Sequence, residues 1–208
     1  MLLTNPFDQT AWVQLISDLQ NEVGRFFAQR VLDEFRSEYD VDAIVDAVTG
    51  LLAGATLQQA ALIVQTSRNI ANDATSSNLG LAPEVIERAI QEALAEKSPS
   101  RSLAISVLNT TAASNAAAYI AAIKSAGQSE ITKRWITRQD ERVRLAHRHA
   151  HLQETGLIQN FTVNGEQLLF PGDTSQGASA KNTIGCRCVV QYIKKDHNEP
   201  SGTKNPDN

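Results

Sequence analysis

Apolar residues recur at three- and four-residue steps near the start of the chain: Trp12, Leu15, Ile16, Leu19, Val23, Phe26, Phe27, Val31 and Phe35. That spacing puts them along one side of a helix. It predicts a long amphipathic helix from Asn5-Pro6 to about Tyr39, with proline suited to the first turn and Asp8 near the positive end of the helix. The pattern restarts over Asp42–Leu52, predicting a shorter helix that ends near Gly54. Thr56 with Gln59 has capping-box spacing and predicts a third helix to about Ala74, followed by a turn over 75–80. Pro83 opens a fourth over Glu84–Glu96, with Val85, Ile86, Ala89, Ile90 and Leu94 on one side. Lys97-Ser98-Pro99 predicts a break. A fifth helix follows from Ser100 to Ala126, closed by Gly127. Its middle, Ala112–Ala122, is dense in alanine. Small side chains suit a close helix–helix approach or an oligomer seam. The helix preference of alanine accounts for the same composition equally well.

Past Gly127 the period changes. Ile131–Thr137 alternates and carries β-branched residues, which predicts a short strand. Thr137 followed by Asp140 suggests a helix start, and a helix is expected over Arg138–Leu152. On such a helix Asp140, Arg144, His147 and His151 fall within about 60° of one another. Asp140 and Arg144 would form an i,i+4 ion pair, beside a small apolar face of Val143, Ala146 and Ala150. His149 would point the opposite way. Gly156 ends this region. Leu157–Val163 and Gln167–Phe170 read as strands joined at Asn164-Gly165, a pair that accepts positive φ at both turn positions. Pro171-Gly172-Asp173 stops the second strand. A polar loop, Thr174–Asn182, leads to Gly185-Cys186-Arg187-Cys188 and a last strand, Val189–Ile193. The expected class is α+β: a helical module over 1–127, a small α+β domain with a hairpin and a Cys-x-Cys strand over 128–195, and a disordered polar tail over 196–208.

The 208 residues suit one or two domains, and with aromatics at 5% the core must be mostly aliphatic and alanine. The net charge of −4 is unevenly spread. Residues 1–100 carry 6 basic and 14 acidic side chains; residues 101–208 carry 13 and 9. Such a split suits two surfaces with different partners, or two ordinary solvated faces. Two cysteines one residue apart do not resemble a secreted disulfide framework. No apolar run is expected to match the roughly 20 residues of a membrane span. The first residues lack the basic start and apolar stretch of a signal peptide. A reducing cytoplasm, or a particle assembled there, is the expected setting.

In an extended segment Cys186 and Cys188 share a face, so both sulfurs could meet one ligand. His147 is the candidate third ligand, with His151 or Asp173 fourth, and zinc takes such sets tetrahedrally. The plain alternative is two thiols buried as small apolar groups. Asp140, Arg144 and His147 could be a catalytic set with His147 as general base, or a polar network that fixes the helix on the hairpin; the network is the reading preferred. No nucleophile–base pair or zinc-deaminase signature is present. Lys133, Arg134, Arg138, Arg142 and Arg148, with Arg144, form a basic run that could contact a phosphate backbone. A protein partner with an acidic surface explains it as well.

The order Trp135, Asp140, Arg144, His147, then Phe161, then Pro171-Gly172-Asp173, then Cys186-Arg187-Cys188 resembles the head-morphogenesis domain of tailed-phage minor head proteins, the phage Mu F-like family. The resemblance covers about Leu108–Ile193. Gly185 stands where that family carries asparagine directly before Cys-Arg-Cys. The resemblance implies a minor structural protein of a phage or prophage head, located in the virion and associated with the portal or the major capsid protein. It implies links to genome packaging or delivery, contact with genomic DNA as an option, no membrane, and no enzymatic activity. The alternative kept beside it is a metal-dependent hydrolase or nuclease using His147, Asp173, Cys186 and Cys188.

Overall fold

The structure, a computed structural model, describes residues 5–125 and 131–194. Three long helices come first: α1 (Gln9–Phe35), α2 (Val41–Ser77) and α3 (Pro83–Ser125). A smaller region follows, made of β1 (Ile131–Ile136), α4 (Leu145–Ala150), β2 (Glu154–Gly156), β3 (Phe161–Val163), β4 (Glu166–Leu168), α5 (Ala180–Thr183) and β5 (Val189–Lys194). The class is α+β, as the sequence pattern predicts. Gly127 and the tail over 196–208 lie outside the described residues.

Asp8 caps α1 by accepting from the Ala11 amide at 3.1 Å. The helix ends at Arg36, which takes the left-handed conformation (φ 53°) while the Ser37 amide reaches back to the Leu32 carbonyl. Its buried side is Ile16, Gln20, Gly24, Ala28, Val31 and Leu32. Phe26 is left 62% exposed, while Phe27 and Phe35 are partly buried against the core. A β-carbon placed on Gly24 would lie 3.9 Å from that of Ala117 in α3.

Two expected breaks do not occur. The predicted helices over 42–52 and 56–74 are one helix, α2. Gly54 costs about 1 kcal/mol against alanine in a helix interior, too little to stop a run flanked by leucine and alanine. Pro99 likewise lies inside α3. It removes one backbone donor, but its surroundings are exposed, so water can satisfy the freed carbonyl. The fusion also overturns the expectation about apolar length. α2 holds an 18-residue window of mean hydropathy 1.5, 33% of it buried, long and apolar enough to match a membrane span by composition. Its Ile44, Val48, Leu52, Ala60, Ile63 and Val64 are buried as α2 packs against α1 and α3.

The three helices share a buried amide network. Gln20 donates to Asn109 (2.8 Å), Asn109 donates to Gln59 (2.7 Å), and the Thr56 hydroxyl donates to Gln20 (3.0 Å). In the smaller region β1 is the middle strand of an antiparallel sheet, β2-β1-β5, with Trp135 opposite Val190. β3 and β4 form the predicted hairpin, with Phe161 opposite Leu168, turning through Asn164 (φ 52°) and Gly165 (φ 78°).

The core does not divide at residue 127. Ile131, Leu157 and Phe170 belong to the same buried cluster as the helices, and Phe170 packs at a tilt against Tyr119 of α3 with ring centres 5.6 Å apart. A second cluster holds Trp135, Ala150, Phe161, Val163, Leu168, Cys186 and Cys188. The 1–127 and 128–195 segments therefore differ in element type while α3 supplies core to both.

Candidate metal centre

The helix expected over 138–152 is reduced to the six residues of α4. Asp140 is the cause. Its carboxylate accepts from the Arg142 amide (3.1 Å) and its carbonyl from the Val143 amide (3.1 Å), closing a turn in place of a helical start. Arg148 braces that turn by donating to the carbonyls of Val143 (2.9 Å) and Glu141 (3.2 Å).

The expected Asp140–Arg144–His147 network is consequently dispersed. Asp140 forms a two-pronged pair with Arg187 at 2.8 and 2.7 Å. Hydrogen bonding from Arg187 holds its carboxyl below the usual value, and the same bond raises Arg187. Arg144 donates instead to the Ile184 carbonyl. That contact lies beside Gly185, which takes a left-handed φ of 64°. His151 faces Thr137 and Gln139, while His149 is exposed.

His147 stands apart from these. It is 2% exposed and meets the Trp135 ring edge-on, with centres 5.6 Å apart. Trp135 in turn packs edge-on against Phe161 at 5.3 Å. The Nδ1 of His147 lies 3.7 Å from Cys186 Sγ and 3.5 Å from Cys188 Sγ, and its Nε2 is buried without a partner. The three donor atoms lie within 4.8 Å of one another, so this buried group could hold a metal ion. Both cysteines are free thiols. A hydrogen bond from Cys188 lowers the Cys186 thiol, and that bond together with burial raises Cys188. A cavity of about 10 Å³ adjoins the group, lined by Arg142, Val143, Arg144, His147 and residues 185–188.

Neither expected fourth ligand joins. Asp173 is 1% exposed and turned into its own loop, where it accepts from the amides of Leu169 (2.8 Å) and Ser175 (2.8 Å). The set His147, Asp173, Cys186 and Cys188 is therefore not assembled as one centre. Pro171-Gly172-Asp173 has a packing role. Gly172 has φ 85°, and a β-carbon there would come within 3.4 Å of the Ala112 backbone in α3.

The basic run is also redistributed. Lys133 is fully buried, because the alternation of β1 turns Ile131, Lys133 and Trp135 inward together. Its amine donates to the Leu169 carbonyl at 2.6 Å and lies 5.0 Å from the ring centres of both Tyr119 and Phe161. Burial lowers its pKa to about 8, against an opposing pull from Asp173. It cannot be a nucleic-acid contact. Arg134 pairs with Glu154 and is half-buried, while Arg138, Arg142 and Arg148 are exposed, Arg148 with its guanidinium committed to the carbonyls of the Asp140 turn.

Two contributors to the site come from α3, one within the alanine-rich stretch and one just before it. Thr111 donates its hydroxyl to the Cys186 carbonyl at 2.7 Å. Asn115, 3% exposed, donates to the carbonyls of Cys188 (3.1 Å) and Pro171 (3.2 Å) and accepts from the Val190 amide (3.1 Å). A lone asparagine among alanines at the centre of a buried helix was the available signal. No protein-family model, curated protein or solved structure matches the chain.

Proposed function

We propose that this chain is a minor structural and morphogenesis protein of a tailed-phage or prophage head. It acts inside the virion or procapsid without enzymatic activity of its own. The ordered set Trp135, Asp140, Arg144, His147, Phe161, Pro171-Gly172-Asp173 and Cys186-Arg187-Cys188 carries this reading. Its members divide among the buried His147–Cys186–Cys188 group, the Asp140–Arg187 pair and the Gly172 contact on α3, which suits a domain kept for its shape. The acidic helices dock on the portal or the capsid interior. Arg138 and Arg142 are what remains of the surface for genomic DNA. The ion at the buried centre is zinc, since two thiolates and one imidazole form a donor set that selects it.

The test is co-purification with the portal and major capsid proteins encoded beside this gene. The full chain should bind one of them, and a chain lacking residues 1–40 should not. Normal entry of that truncated chain into heads would contradict the docking role. Metal-dependent nucleic-acid cleavage that vanishes in His147→Ala would favour the hydrolase instead.

A further inference from the structure

The geometry around His147 has two sides that meet at the Cys-x-Cys segment. On one side are the sulfurs. Metal–sulfur and metal–nitrogen bonds of zinc length, set at tetrahedral angles, place sulfur and nitrogen about 3.6 Å apart. The observed separations are 3.7 and 3.5 Å. All three donor atoms are buried and lie within 4.8 Å of one another, so one cation can meet them together. The adjoining cavity of about 10 Å³ has room for roughly one water as a fourth ligand.

On the other side are the carbonyls of the same two cysteines, and α3 takes both. Thr111 holds the Cys186 carbonyl, and Asn115 holds the Cys188 carbonyl. Asn115 also accepts from the Val190 amide. Its carboxamide thus occupies the place a neighbouring strand would take along that edge of β5, while β1 pairs with the strand through its own ladder.

We infer that the His147–Cys186–Cys188 centre is a structural metal clamp that fastens α4 and the Cys-x-Cys segment to α3, with Thr111 and Asn115 as its positioning residues. This rests on the zinc reading above and not on the head-assembly role. With the ion bound, α4 is tied to the Cys-x-Cys segment, and that segment is tied to the helix at the centre of the bundle. Removing the ion frees α4 and loosens the start of β5, while the bundle keeps its own core.

The test uses the full chain purified without a metal-affinity tag. Native mass spectrometry should find one zinc per chain. Cobalt(II) put in its place should give a thiolate-to-metal charge-transfer band, which Cys188→Ser abolishes. Thr111→Val, an isosteric change, should weaken zinc binding about tenfold, and Thr111→Ser should restore it. Asn115→Ala should weaken it at least as much. Hydrogen exchange on the chelated protein should speed up at α4 and at Val190. If one zinc binds but Thr111→Val and Asn115→Ala bind it as tightly, and exchange is unchanged by chelation, the clamp is wrong and the metal site stands. If neither zinc nor cobalt binds, the zinc reading falls and the clamp falls with it.

Discussion

The two parts of α3 lie on one continuous helix and meet different surroundings. From Asn109 to Ala122 nearly every position is buried, including Ala112, Ala113, Ser114, Asn115, Ala116, Ala117 and Ala118 on consecutive positions. α1 and α2 cover one side, and residues 170–172 and the Cys-x-Cys segment meet the other. From Pro83 to Leu108 no residue is buried, and the facing part of α2 after Ser67 has none either. There the two helices carry a half-buried seam of Ile70, Ala74, Ile86, Ala89 and Ile90, with Leu79 and Leu103 75% and 67% exposed. Helical periodicity alone cannot separate these cases. What separates them is side-chain size. Alanine lets neighbours approach from all sides, whereas the larger side chains of the outer part are served by one neighbour.

The sharpest way to break this contrast is to enlarge one central alanine. Ala117→Leu should cost about 3 kcal/mol in denaturant unfolding, because the added atoms must enter the seam against Gly24 and Val48. A smaller effect tests the other side of α3, where Lys133 lies over Tyr119. Its folded pKa is about 8 against an ordinary 10.5, so between those values the unfolded chain holds more protons and stability rises with pH. From pH 8 to 10 the wild-type chain should gain about 2 kcal/mol relative to Lys133→Met. Tyr119 and Tyr192, whose pKa values are raised, oppose that gain as the pH nears and passes 10, in both proteins alike. Equal pH profiles would mean that Lys133 is hydrated. Gly172→Ala should cost about 1–2 kcal/mol, from its positive φ and its approach to Ala112. In the outer part, Leu103→Gln should change stability by less than about 0.5 kcal/mol. A loss as large as that of Ala117→Leu would mean that something else covers the outer helices.

The same contrast marks where the sequence could be read. α1, β1, the hairpin at Asn164-Gly165 and the strand after Cys188 follow from local patterns, because turn chemistry and alternation decide them. The meeting of both cysteines with His147 was also legible from strand geometry. Asp140 was misread because an i,i+4 partner, Arg144, was at hand, whereas its true partner, Arg187, is reached only through the fold. Lys133 was placed on the surface by its charge, although its alternation with Ile131 and Trp135 pointed inward. Thr111 and Asn115 were passed over because their partners belong to a segment some 75 residues away.

If α3 is the shared centre of both regions, the amides of its two parts should behave differently within one helix. Hydrogen exchange on the full chain, resolved along α3, measures this directly. The amides of Ala112–Ala122 should exchange only through global unfolding, together with those of β1 and β5, while the amides of residues 87–105 exchange much faster through local opening. Uniform protection along α3, or a β1–β5 sheet that opens while Ala112–Ala122 stays closed, would contradict it.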